Sequence, residues 1–175
     1  EIRRAAAATE RESREVAAAL ARGEVVPPIG RTTRETFEAQ QLGVLRFPDE
    51  VLAQVAGGLA PDSNTLLRMI LAGSKGKVGN LLAILGGVGQ VTINGERPGE
   101  NGGRVFPYTP RYSADPTERG WVPHSYIEGV PPLPFLFMSM SGRYDLATKA
   151  LTTAHTGYIM RQSVMCLQGV VVGNG

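Results

Sequence analysis

Two stretches hold the residues best able to do chemistry: Gly73-Ser74-Lys75-Gly76-Lys77, and Thr152-Thr153-Ala154-His155-Thr156-Gly157-Tyr158. Glycines and lysines ahead of a helix bind anions through backbone N–H groups. A mononucleotide P-loop, however, has four residues between its glycines and a Ser or Thr directly after the lysine. Here Val78 follows Lys77, so the string reads as a tight corner between two helices with Lys75 and Lys77 near helix ends. Catalytic constellations are missing elsewhere. No D-x-D-x-D cluster exists to hold a pair of Mg2+ ions. His124 and His155 have no Cys or His partner at metal-ligand spacing, and no serine stands in a G-x-S-x-G elbow. On its own the chain is expected to be inactive.

The second stretch must be positioned by a long element. Pro132 and Pro134 stand where a helix can begin, because the missing N–H costs little in a first turn, and no proline interrupts Phe135 to Gln168. The run from Pro134 to Val172 therefore reads as one helix, and roughly 34 residues of it would span about 50 Å. Its first turns are apolar (Phe135, Leu136, Phe137, Met138, Met140), and so are its last (Val164, Met165, Leu167, Val170). The middle is made of small or hydroxyl-bearing residues that form helix only moderately well, and Gly157 costs about 1 kcal/mol relative to alanine. Such a helix bends most easily at its centre. Arg143, Lys149 and Arg161 flank the centre with Asp145 as the one carboxylate among them. Two readings follow: a buried central helix whose glycine admits a close neighbour, or a cationic rod crossing an open space.

The chain has 175 residues, 42% of them hydrophobic and 19% charged, which suits a globular protein with a core. A formal charge of +2 and a pI near 8.9 are too mild to argue for nucleic-acid binding by charge alone. The single cysteine, Cys166, cannot form an internal disulfide and points to a reduced, intracellular setting. Neither an apolar run of about 18 residues nor a leader pattern is present, so no membrane partner is expected. The chain starts inside a helical pattern and stops without a closing element, which reads as a piece of something larger.

In chain order, Glu1 to Arg22 is an alanine-rich helix with a thin apolar stripe, ended by the segment Gly23 to Gly30 with Pro27 and Pro28. A second helix opens around Thr33 and Thr36, with Glu35 in its first turn, and runs to about Phe47. Pro48 breaks it, and a further helix from Asp49 to Ala56 ends at Gly57 and Gly58. The next starts at Pro61, with Asp62 or Ser63 as cap and Leu66, Leu67, Met69, Ile70 and Leu71 as its apolar side. Leu81, Leu82, Ile84, Leu85 and Val88 form a short buried helix; Val91, Ile93 and Asn94-Gly95 suggest a strand and turn. Residues 97–134 read as an extended connection anchored by Phe106, Tyr108, Tyr112, Trp121 and Tyr126. Arg104, Arg111 and Arg119 interleave with those aromatics, a combination that either binds single strands or pins the connection onto a neighbouring surface. The expected fold is mainly α, in three parts: a helical hairpin over 1–60, short helices and the extended connection over 61–131, and one long helix over 132–172.

These residues carry a resemblance. The segment SGRYDLATKALTTAHTGYIMRQSV resembles the bridge helix of the largest subunit of multisubunit DNA-dependent RNA polymerases, through Gly142, Arg143, Leu146, Thr153, Ala154, Thr156, Gly157, Tyr158 and Arg161. MILAGSKGKVGNLLAILGGVGQ, with Gly95 and Arg97 after it, is similar to the family's approach to that helix, as are Gly120, Trp121, Val122, Ser125, Tyr126 and Gly129. The similarity covers residues 65–168, more weakly the hairpin, and is of the eukaryotic, archaeal or large-DNA-virus type.

The resemblance implies a hairpin belonging to the nucleotide-entry funnel and a fragment that is not an independent globular domain. It places Thr152, Thr153, Ala154, Gly157, Tyr158 and Arg161 beside the template and hybrid, Gly142 and Arg143 at the start of the bridge helix, and Ser74, Lys75, Lys77 and Gln90 along the pore. Catalytic Mg2+ would be bound outside this chain. Implied partners are the second-largest subunit, the rest of the largest subunit, DNA template, RNA–DNA hybrid and nucleoside triphosphates. The compartment would be the nucleus for a cellular enzyme, cytoplasm or virion for a viral one. Thr152 stands where the family usually has lysine, and Gln162 where it usually has a second arginine. Each lost phosphate contact would remove about one unit of salt dependence. A non-catalytic helical interaction module is the alternative.

Overall fold

The computed structural model describes residues 2–60 and 62–173; the helix starts expected at Glu1 and Pro61 lie outside the described residues. Alanine-rich sequence makes α1 (Ile2–Ala21), which ends in paired bonds from Gly23 N–H to Leu20 O and from Glu24 N–H to Ala19 O. That pattern satisfies the last carbonyls and turns the chain. α2 (Thr33–Val44) starts at the expected Thr33, and its cap lies one residue before it. Thr32 is the cap, its hydroxyl accepting from Glu35 N–H while the Glu35 carboxylate accepts from Thr32 N–H. Thr36 is buried and its hydroxyl donates to Thr32 O.

α1 and α2 form the expected hairpin, and a buried polar pair sets their register. Ser13 Oγ donates to Gln41 Oε1 at 2.6 Å, and Gln41 Nε2 donates back to Ser13 O at 2.9 Å. Both side chains are about 2% exposed. Gln41→Leu keeps the volume and leaves the Ser13 hydroxyl without its acceptor, so a loss of about 1–3 kcal/mol is expected. A lower urea midpoint at unchanged m-value would show it; an unchanged midpoint would mean that the pair is not what holds the helices in register.

α2 stops at Val44, short of the Phe47 expected from sequence, because Leu45 and Phe47 turn into the core. With Ala6, Val51, Leu82 and Trp121 they form the first of two apolar clusters, joining α1, α3 (Asp49–Gly57) and α5 (Val78–Leu85). The second holds Val91, Val122 and Phe137, with Phe106, Val130, Leu133 and Met138 against it. Between them runs a short antiparallel pair, β1 (Gly89–Gln90) with β2 (Trp121–Val122), in register Gly89 to Val122 and Gln90 to Trp121. Successive strand residues face opposite sides, so Trp121 goes to the first cluster and Val122 to the second. Those two adjacent residues tie the hairpin to everything downstream.

Several expectations are corrected. α4 (Thr65–Leu71) is capped by Asn64, whose side chain accepts from Leu67 N–H, and not by Asp62 or Ser63. Of its apolar side only Leu67 is buried, while Met69 and Leu71 are exposed. The strand lies just upstream of Val91, although the Asn94-Gly95 turn forms as expected, with φ of 54° and 80° at its two central residues. In the connection Trp121 is fully buried and Phe106 half-buried; Tyr108, Tyr112 and Tyr126 are exposed, Tyr108 stacking on Phe106 at 5.2 Å and the Tyr112 ring lying against Gly103. A short 3-10 helix (Pro116–Arg119) precedes β2. The final helix, α6, runs Pro132–Leu167 and not to Val172; Gly169 and three β-branched valines follow it.

Candidate functional site

α6 is 36 residues long, about 54 Å at 1.5 Å per residue, and its two ends are treated differently by the rest of the chain. Its first turns are fixed. Pro134 and Phe137 are buried, Phe137 packs against the Phe106 ring at 5.1 Å, and Ser141 Oγ donates to Thr92 O at 2.8 Å. Beyond Ser141 every residue to Leu167 is exposed. The reading of α6 as a strut buried within this chain is therefore overturned. What the chain supplies is a socket and a free rod of about 39 Å.

The weak centre stays helical throughout. Thr153 Oγ1 donates to Lys149 O and Ser163 Oγ to Ile159 O, which absorbs those hydroxyls within the helix. A Cβ built on Gly142 or on Gly157 would meet nothing within 4 Å. No neighbour in this chain requires glycine at either position. Thr152, Thr153 and Gly157 line a shallow groove with Lys149, Thr156 and Met160. Ala154, Tyr158 and Arg161, spaced i, i+4 and i+7, share the adjoining face. The six residues expected near the template thus occupy two neighbouring faces, and Gly142 and Arg143 sit where the free part begins. None of the ion pairs among the described residues involves Arg143, Lys149 or Arg161. Their charge remains available to an outside partner.

The residues expected along the pore fall into two groups. Gly73 and Gly76 have φ of 67° and 86°, forming the corner between α4 and α5. At that corner Ser74 Oγ donates to Met69 O, Lys75 is exposed, and Lys77 caps α5 without a side-chain hydrogen bond. Gln90 stands apart in β1 and lines a groove of about 620 Å³ with Thr92, Tyr126, Ser141, Tyr144 and Asp145. Ser74, Lys75 and Lys77 do not line that groove.

Sequence reasoning missed a partly buried ion network beneath the hairpin. Glu38 of α2 receives Arg119 at 2.6 Å and Arg97 at 3.4 Å, and Glu100 receives Arg119 at 3.1 Å and Arg34 at 3.5 Å. The Arg97 side chain is only 4% exposed, and burial pushes its guanidinium down to about 10, the Arg119 charge adding to the effect and Glu38 opposing it. Arg119, expected among the strand-binding arginines, is spent here; the reading in which the connection is pinned to a neighbouring surface holds for it. The partners stand 59 and 81 positions apart in the chain, and no periodicity marks such a pair.

Among the described residues no helix is long and apolar enough to cross a membrane. The family model described as RNA polymerase Rpb1, domain 4, matches residues 17–122, and that described as RNA polymerase Rpb1, domain 5, matches residues 129–175. Relatives include the DNA-directed RNA polymerase RPB1 homologs of African swine fever virus isolates from tick, warthog and pig. Each is 39% identical over 163 residues, a match that covers 92% of this chain and 11% of the relative. The chain thus spans about a ninth of the length of the relatives it matches.

Proposed function

This chain belongs to the family of largest subunits of DNA-directed RNA polymerases, and from that premise we propose that it forms part of the nucleotide-entry funnel and the bridge helix of an assembled enzyme. The observation that carries the reading is the contrast within α6: a socketed base from Pro132 to Ser141, then a rod exposed to its end. In the assembled polymerase the rod crosses the cleft. Small side chains at Thr153, Ala154 and Gly157 let the template base at the addition site approach the helix, while Lys149 and Arg161 face backbone phosphates. Bending at the glycine-containing centre, at about 1–3 kcal/mol, couples to movement of the hybrid by one step.

Among the described residues no three His, Cys, Asp or Glu side chains are gathered to hold an ion. On this reading the Mg2+ of nucleotidyl transfer sits on other residues of the complex. What this chain contributes is a wall that positions the template and an entry route for nucleoside triphosphates, in contact with the second-largest subunit and the rest of its own.

A photo-crosslinking residue at exposed Thr156, in the assembled enzyme on a DNA–RNA scaffold, tests this. Crosslinks to the template strand next to the addition site are expected. Crosslinks to protein alone would make α6 a structural strut between subunits and remove it from the nucleic acid.

A further inference from the structure

We propose that Glu38, on the funnel hairpin, is a positioning residue for nucleotide addition, acting through Arg119 on Gln90. The proposal rests on the reading of the chain as part of a polymerase and goes beyond it by naming a remote residue and its route. The route is a chain of short contacts. Gln90 Nε2 donates to Val91 O at 2.9 Å and to Arg119 O at 2.8 Å, so both amide hydrogens are spent and the orientation of the carboxamide is fixed by its partners. Its Oε1 is buried and has no hydrogen-bond partner among the described residues, although the side chain lines the groove at the base of α6. A buried acceptor left over in this way is costly to keep, which sets the Gln90 carboxamide apart from a fully satisfied structural amide.

The position of that acceptor depends on the Arg119 backbone. Directly after it Gly120, with φ of 93°, turns the chain into β2, and a Cβ there would come within 3.0 Å of Gln90 Nε2. The Arg119 side chain is held by Glu38 at 2.6 Å, Glu100 at 3.1 Å and Pro98 O at 3.1 Å. Glu38 alone of these belongs to the hairpin. A shift of α2 is thus passed along two hydrogen-bonded links to a carboxamide beside the bridge helix.

The test is a double-mutant cycle in the assembled polymerase, reading single-nucleotide addition on a preformed DNA–RNA scaffold, with subunit assembly measured alongside. Glu38→Gln keeps an acceptor and removes the charge; Arg119→Lys keeps the charge and removes the fork. Each is expected to raise the apparent KM for the incoming nucleotide about threefold to tenfold, with a smaller change in kcat. In a Gln90→Ala background the same substitutions should add less than about twofold, because their route is gone. Effects that multiply fully in that background would make Glu38 a structural brace and overturn the proposal. So would a Gln90→Ala enzyme with unaltered KM, a result that leaves the reading of α6, tested by crosslinking, untouched. Should Glu38→Gln impair assembly, Glu38→Asp carries the same cycle with the charge kept and the reach shortened, and the same two outcomes decide.

Discussion

Replacing Trp121 by alanine is expected to cost about 3–5 kcal/mol, the range for emptying a buried aromatic site. The side chain is wholly buried, its ring lies 5.2 Å from that of Phe47, and Nε1 donates to Glu10 at 3.1 Å. Truncation opens a cavity among Phe47, Leu45 and Leu82 and strands a carboxylate oxygen of α1. Natural domains have only about 5–15 kcal/mol in hand, so the loss is a large fraction of the whole. Trp121 is also the step between the two apolar clusters, and the neighbouring Val122 packs in the cluster that holds Phe137 at the base of α6. The damage should therefore reach the socket of the rod. Denaturant titration followed by far-UV circular dichroism checks it, since the chain has a single tryptophan and the variant has no fluorescence reporter. A loss below about 1 kcal/mol would show that the hairpin and the α6 socket are held together by something other than this residue.

The features legible in the sequence were those set by local chemistry. Pro132 and Pro134, with no proline after them, marked α6, because a proline inside a helix removes a hydrogen bond and collides with the turn before it. The Asn94-Gly95 turn was legible because those two residue types tolerate the positive φ that both positions adopt. The capping box at Thr32 and Glu35 was present in the sequence, yet Thr33 beside it and Thr36 one turn on blurred which threonine serves as cap. Features made by distant residues were not legible. Glu38 and Arg119 carry no mark of each other, and neither do Ser13 and Gln41. Tyr108, Tyr112 and Tyr126 read as anchors by residue type alone, but how far each is buried is decided by what folds over it, which sequence spacing does not encode. The two-faced character of α6 was hidden for a related reason: apolar residues surround it at both ends, so no stripe identified which turns are socketed.

At the candidate site the residues came from the resemblance and their setting from the structure. Thr152, Thr153, Ala154, Gly157, Tyr158 and Arg161 are all exposed on the free part of α6. Exposure is what makes a substitution there informative. Ala154→Leu adds three carbons at a position with no burial in this chain, and both residues form helix well, so the fold itself should lose at most a few tenths of a kcal/mol. Overpacking, which costs about 1–3 kcal/mol in a core, has no neighbour to act on within the chain. If the helix abuts the template base in the complex, the added carbons take the space of the incoming base pair. A displacement of about 1 Å next to the chemistry costs on the order of a hundredfold in rate.

Single-nucleotide addition by the assembled polymerase carrying Ala154→Leu, measured beside its subunit assembly, tests the central claim most directly. The predicted result is a complex that assembles normally and adds a nucleotide about a hundredfold more slowly. Normal assembly with an unchanged rate of addition would contradict the claim and take the nucleic-acid face of α6 away from Ala154.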